Sequence, residues 1–275
     1  MPTVVRTLTP ADVPSAMELS KAANWNQTPE DWLRVLQLAR RDIRCVEAAG
    51  KIVATASLLP YGTRLAWIGM VLTRPEYRRQ GYARELMEDL IARAEGNKIR
   101  TLKLDATHEG RPLYESLGFV VEETVERWGR SANVVAAQDD VDNARMPEEL
   151  FAMDEAAFGV SRRDLLEMLL ESGRCNSTPH GYVLSRPGAT ARYLGPCVAA
   201  SETEAGLLIA THLENDSIAK SSDWYWDLLP ANTGAVRCAE QLGFTRRRTL
   251  WRMSRGETIE DNNAMVYAIA GFELG

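Results

Sequence analysis

Residues 68–84, Ile-Gly-Met-Val-Leu-Thr-Arg-Pro-Glu-Tyr-Arg-Arg-Gln-Gly-Tyr-Ala-Arg, carry an apolar strand into a basic, glycine-containing turn and on into a helix. The helix is amphipathic, with Leu86, Leu90 and Ala94 recurring on one face. Backbone amides in a first helical turn have no partner inside the helix, and the helix dipole adds positive potential there. Gly81 permits close backbone approach, while Arg78, Arg79 and Arg84 surround the turn with charge. A turn built from Arg78, Arg79, Gln80, Gly81, Tyr82, Ala83 and Arg84 therefore suits a pyrophosphate. It is not the Walker loop, because no Gly-Lys-Ser/Thr follows, nor the dinucleotide Gly-x-Gly-x-x-Gly. The same spacing also fits a plain turn with solvated arginines, so a second signal has to decide.

About thirty residues on, 109–119 (Glu-Gly-Arg-Pro-Leu-Tyr-Glu-Ser-Leu-Gly-Phe) reads as a short helix with proline in its first turn, closed by a glycine and an aromatic. In this order and spacing the two segments resemble the GNAT superfamily of acyl-CoA-dependent N-acyltransferases. Arg78 to Ala83 match its pyrophosphate loop, and Leu113-Tyr114-x-x-x-Gly118-Phe119 match its second signature. The resemblance implies an α+β fold, a mixed but mostly antiparallel sheet flanked by helices, with acetyl-CoA as donor substrate and no metal. It further implies that the strand around Gly69 splays from its neighbour, so that the backbone of Met70, Val71 and Leu72 binds pantetheine and offers an N–H to the thioester oxygen. Tyr114 corresponds to the tyrosine that protonates the leaving thiolate, and Trp25 and Asn26 fall on the loop bordering the acceptor pocket. One departure stands out: Gly110-Arg111-Pro112 replaces a customary asparagine and alanine.

The chain is 275 residues long, 45% hydrophobic and 25% charged, which accommodates two modest domains. A net charge of -6 argues against nucleic acid as a partner and mildly favours a cationic amine, here a small-molecule acceptor. Cys45, Cys175, Cys197 and Cys238 form no Cys-x-x-Cys pair, so reduced thiols in a cytoplasmic protein are expected instead of disulfides or zinc. With no run of eighteen apolar residues and no apolar leader, neither membrane nor signal peptide is expected. Composition leaves monomer and homodimer equally open.

Strand and helix patterning predicts a first domain over 1–130, a linker over 131–145 and a second domain over 146–275. In the first, a strand Val4–Leu8, two helices (the second opened by Thr28-Pro29), a hairpin about Gly50-Lys51, the strand Leu65–Leu72, the phosphate-loop helix and the strand Thr101–Ala106 follow in order, closed by a strand pair over Phe119–Arg127. The second half echoes it: Gly188–Gly195 repeats Gly62–Gly69, Leu242-Gly243-Phe244 repeats Leu117-Gly118-Phe119, and Arg252 falls where Arg127 stands. The echo is degenerate. Ser201-Glu202-Thr203-Glu204 replaces the basic loop, and Pro196 opposes Met70, removing a backbone donor. The whole chain resembles a subfamily in which a working GNAT domain precedes a degenerate one.

An alkylamine acceptor has to lose a proton, so a base or water relay is required. The resemblance implies an acid or histidine in the strand Ile68–Leu72, which here holds neither; Asp105, at the end of its strand, is the first candidate, the alternative being a carboxylate capping the next turn, with His108 and Glu109 behind it. In the second half, Trp226 and Asp227 are expected to furnish an aromatic, acidic wall for the acceptor, the alternative being a core strand. Arg246-Arg247-Arg248 fits either a solvated strand edge or a contact to an anionic substrate. The competing function from another class is a non-catalytic acyl-CoA-binding sensor.

Overall fold

The computed structural model describes residues 3–132, 146–215 and 222–275. The first half contains β1 (Thr3–Thr7), α1 (Val13–Ala22), α2 (Pro29–Ala39), β2 (Ile43–Ala48), β3 (Lys51–Tyr61), β4 (Leu65–Thr73), α3 (Tyr82–Gly96), β5 (Thr101–Ala106), α4 (Arg111–Ser116) and β6 (Val120–Arg130). The second contains α5 (Glu148–Phe158), α6 (Arg163–Ser172), β7 (Arg174–Thr178), β8 (Gly181–Arg186), β9 (Arg192–Ala199), α7 (Glu202–Asn215), β10 (Trp224–Leu228), α8 (Thr233–Gln241), β11 (Thr245–Gly256) and β12 (Val266–Ala268). Of the expected linker 131–145, all but Ser131 and Ala132 lies outside the described residues.

Local sequence explains the elements that set up the site. Thr28 caps α2 by accepting from the Asp31 N–H while Asp31 accepts from the Thr28 N–H, with Pro29 at the first helical position. Leu86, Met87, Leu90, Ile91 and Ala94 bury one face of α3 against the sheet, as the periodicity predicts. Residues 52–59 of β3 are buried without alternation, because helices cover both faces of that strand.

The strands form one continuous sheet in the order β1-β2-β3-β4-β5-β11-β6-β10-β9-β8-β7, with β12 added to β9. The expected terminal strand pair of the first half is instead the single long strand β6. Its partners both come from the second half: Leu250 of β11 faces Val125, and Trp226 of β10 faces Trp128. Reciprocally, β11 runs along β5, pairing Trp251 with Ala106 and Gly256 with Thr101. The halves thus exchange their last strands, and each sheet is finished by the other's chain. Exchange removes two exposed strand edges that would otherwise have to be protected.

A shared core covers one face of this sheet. Leu8, Trp32, Val35 and Trp67 from the first half pack in one cluster with Leu150, Leu165, Tyr182 and Leu274 from the second. On the opposite face each half keeps its own core, beneath α3 and α4 in the first and beneath α7 and α8 in the second. The last residues tie the halves together on the shared face: Trp67 Nε1 donates to Phe272 O (2.9 Å) and the Tyr61 hydroxyl to Leu274 O (2.6 Å).

Candidate active site

A cleft of about 980 Å³ opens where β4 and β5 part company. The two strands pair in parallel only from Leu65 to Trp67, so the edge of β4 beyond Trp67 has no strand beside it. At that point β4 bulges: Met70 adopts φ +51°, and its carbonyl accepts from the Thr55 hydroxyl (2.8 Å). Beside the bulge, Gly69 admits the backbone of the C-terminal tail, since a Cβ there would lie 2.6 Å from Glu273 O. Met70, Val71 and Leu72 all line the cleft, with backbone available for an extended ligand to pair as an added strand.

The basic turn sits at one end of the same cleft. Gly81, at φ +90°, is the N-cap of α3, and no side chain caps the helix, so its first-turn amides are open to an anion. Arg78, Arg79, Tyr82, Ala83 and Arg84 also line the cleft. Arg84 is steadied by the Ser116 hydroxyl at 2.8 Å. Gln80 is not among the lining residues; its amide donates to Glu76 O and its oxygen accepts from the Tyr82 hydroxyl, which stiffens the turn.

Tyr114 is brought to the cleft by α4, packed edge-on to Phe119 and lying against Gly110, where a Cβ would approach its ring to 3.0 Å. Burial raises its phenol pKa above the usual value, keeping the proton in place at neutral pH. Its hydroxyl bonds no protein group among the described residues.

Asp105 lines the cleft, but its carboxylate is wholly buried and held in a two-point pair by Arg252, Nε to Oδ1 and Nη2 to Oδ2 both at 3.0 Å. The second half repeats this arrangement residue for residue. Asp227, at the end of β10, is gripped by Arg127 of β6 (2.7 and 2.6 Å), and Arg127 lies over Tyr193 as Arg252 lies over Trp67. In both copies the pair crosses the strand exchange, joining an aspartate of one half to an arginine of the other. A carboxylate so engaged serves as a counter-ion to Arg252; burial raises its carboxyl pKa and the Arg252 charge opposes that rise. His108 turns instead toward Trp251, at 5.8 Å between ring centroids.

The other end of the cleft is the meeting of the two halves. Trp25 lines the cleft. Asn26 also lines it, yet its side chain is spent clamping the second half, donating to Ala191 O (2.8 Å) and accepting from the Thr190 N–H (2.7 Å). Trp226 is a correction: fully buried in the second half's own core with Nε1 donating to Tyr267 O, it never reaches the cleft, because alternation along β10 turns it inward with Trp224. Asp227 likewise stands behind Arg127 instead of facing an acceptor.

Five further residues line this end of the cleft, and of them the sequence suggests a ligand contact for Arg248 alone. They are Arg127, Tyr193, Arg248, Phe272 and Glu273. Glu273 is 4% exposed and packed on Gly69; Arg186 Nη2 donates to its Oε1 at 3.2 Å, and burial lifts its carboxyl above the ordinary glutamate range. Glu273 thus comes to β4 from 204 residues beyond Gly69, a distance at which no local pattern gives a signal.

Among the described residues, the gap beside β9 in the second half is closed. β12 takes the edge of β9 at Cys197 and Val198, and the Ile269 N–H donates to Asp227 O of β10, so the chain itself fills the gap between these strands. The first turn of α7 is acidic, and Glu202 is paired with Arg237. Among the described residues no group of His, Cys, Asp and Glu is placed to hold a metal, and no helix is long and apolar enough to cross a membrane.

Two family models match the chain, one described as the acetyltransferase (GNAT) family over residues 13–119 and one as an acetyltransferase (GNAT) domain over residues 150–268. The uncharacterized N-acetyltransferase YitH of Bacillus subtilis is 29% identical over 209 residues, covering 72% of this chain and 73% of its own length. Holothin acyltransferase of a Pseudoalteromonas species is 26% identical over 238 residues, 81% of this chain and 78% of that protein. The crystal structure of a candidate acetyltransferase of Pyrococcus horikoshii shares the fold across both halves, with a TM-score of 0.86 at 20% identity over 99% of this chain and 96% of the other. The chain belongs to the GNAT acetyltransferase family, carries two of its domains in tandem, and is an acyltransferase.

Proposed function

We propose that the protein transfers an acetyl group from acetyl-CoA to a primary amine of a small molecule, by direct attack within a ternary complex, at one site in its first half. The observation that carries this reading is the convergence in one cleft of an uncapped, arginine-flanked helix N-terminus, an unpaired strand edge and a buried phenol.

The open amides of α3, with Arg78, Arg79 and Arg84, hold the pyrophosphate, and Met70, Val71 and Leu72 pair with pantetheine and place an N–H at the thioester oxygen. Glu273 takes the proton of the attacking amine, a task suited to a carboxylate whose pKa burial raises above the ordinary glutamate value. As the new C–N bond forms and the C–S bond breaks, Tyr114 gives its proton to the departing sulfur. Asp105 and Arg252 keep β5 and β11 in register beneath these groups. Trp25 forms a wall of the acceptor pocket, and Asn26 fixes the loop that carries it. Four buried, unbridged thiols are in keeping with a cytoplasmic location.

The test is release of free CoA thiol from acetyl-CoA in the presence of a panel of primary amines, with the acetylated product identified by mass spectrometry. Amine-dependent release with one acetyl group added per product supports the reading. Tight CoA binding with no amine-dependent release points to the non-catalytic sensor.

A further inference from the structure

Three consecutive arginines on β11 meet three different fates. Arg246 pairs with Glu126 at 3.1 Å, and Arg247 lies across Gly129 of β6, where a Cβ would come within 2.9 Å of its Nε. Arg248 lines the cleft with its guanidinium over Phe272, 5.0 Å from the ring centroid. It has neither an ion pair nor a hydrogen bond to any described residue. The neighbouring Arg127, facing it across β6 and β11, is fully matched by the carboxylate of Asp227 and bonded to the Tyr193 hydroxyl. The positive charge at this end of the cleft is therefore that of Arg248.

This charge stands apart from the pyrophosphate cradle. Leu250 and Arg252, which follow Arg248 at alternate positions of β11, pack on the shared face of the sheet with Trp67, whereas Met253 packs on the α3 face. Arg248 thus belongs to the shared face, with Trp25, Phe272 and Glu273, and the arginines flanking Gly81 belong to the other. Burial and the like charge of Arg127 lower the pKa of its guanidinium from the usual value, a penalty that a bound anion would relieve. Glu273 lines the same cleft, its backbone against Gly69 and its carboxylate beside Gly271 and Arg186.

Building on the acetyl-transfer reading above, we propose that the acceptor is an amine bearing a carboxylate, its amine toward Glu273 and its carboxylate held by the guanidinium of Arg248 in the planar two-point manner. Trp25, Tyr193 and Phe272 then offer apolar surface to the body of such an amino-acid-like molecule. A guanidinium is well matched to this task, being always charged and carrying its donors in a fixed fork. A neutral amine of the same shape would leave Arg248 unpaired and lose that contact.

The test uses product-shaped probes, so that it does not depend on turnover. Full-length protein is first titrated with CoA by calorimetry, then with N-acetyl-L-amino acids of small, aliphatic and aromatic side chain, each compared with its own carboxamide. At least one acid is expected to bind the CoA-loaded protein about ten- to a hundredfold tighter than its amide, the span of a charge-assisted hydrogen bond. In Arg248→Gln that ratio is expected to fall to near one, with CoA affinity the same as in the unaltered chain. Equal binding of acid and amide, binding of neither, or a preference that survives Arg248→Gln overturns the proposal. Failure of CoA to bind in the first step overturns the acetyl-transfer reading itself, and this inference with it.

Discussion

Replacing Asp105 by asparagine separates its two possible roles. The change keeps the shape of the side chain, removes its charge, and leaves Arg252 buried at 6% exposure facing a neutral amide. Two charge-assisted bonds of 3.0 Å are replaced by one acceptor and one repelling NH₂ donor. Breaking a buried pair by removing one partner costs about 3–5 kcal/mol, because the remaining charge stays desolvated. For a chain of this size about 1 kcal/mol corresponds to roughly 2–4 °C, so a fall in Tm on the order of 6–20 °C is expected. Urea unfolding should show a lower midpoint at a similar slope. The duplicated pair supplies an internal control: Asp227→Asn, in the half without a phosphate turn, should cost a similar amount, since Arg127 is left in the same position. At a temperature where Asp105→Asn remains folded it should still bind CoA and keep its pH profile. Unchanged stability, together with a fall in kcat of a hundredfold or more and loss of the acidic limb, would restore Asp105 as the base and refute the reasoning from the pair.

Tyr114→Phe should lower kcat on the order of 10²–10⁴-fold with little change in CoA affinity, as removal of a general acid does; stopped-flow thiol release and calorimetry check the two parts. For Glu273, burial raises the carboxyl above its ordinary value, so kcat/KM for the amine should climb with pH through a limb lying above the usual glutamate range, and Glu273→Gln should lack that limb. The same shift has a definite sign for stability: between the ordinary and raised values the folded state holds the proton and the unfolded state does not, so this group's contribution to stability falls as pH rises through that window. A pH series of urea melts on the wild type and Glu273→Gln, the variant being flatter there, checks it.

Much of this molecule is legible because its signals are local. The periodicity of Leu86, Leu90 and Ala94, the cap at Thr28 and the alternation of residues 101–106 each need only a few neighbouring residues, and the elements stand where these place them. The basic turn that opens α3 at Gly81 is legible for the same reason. What the sequence conceals is which strand lies beside which. Residues 119–127 read as strand, but nothing in them says that both partners come from the other half, or that Arg127 and Asp227 meet across 100 residues. Trp226 and Asp227 look equally apt for a pocket wall and for a core, and the choice is made by the neighbouring strands, which turn the indole inward. The position of Glu273 carries no local signal, because its tail first fills the second half's own gap at β9 and then crosses to Gly69.

The most direct test is the number of CoA molecules bound per chain. One site is predicted, because the first half combines an uncapped helix, a basic turn and an open β4 edge, while the second has an acidic turn and a cleft filled by β12. Calorimetric titration of the full chain should therefore give a stoichiometry of one. Gly81→Val, which forces a β-branched residue into the φ +90° position at the head of α3, should abolish that binding in a chain that still unfolds cooperatively. Two equivalent sites, or one site unaffected by Gly81→Val, would contradict the account.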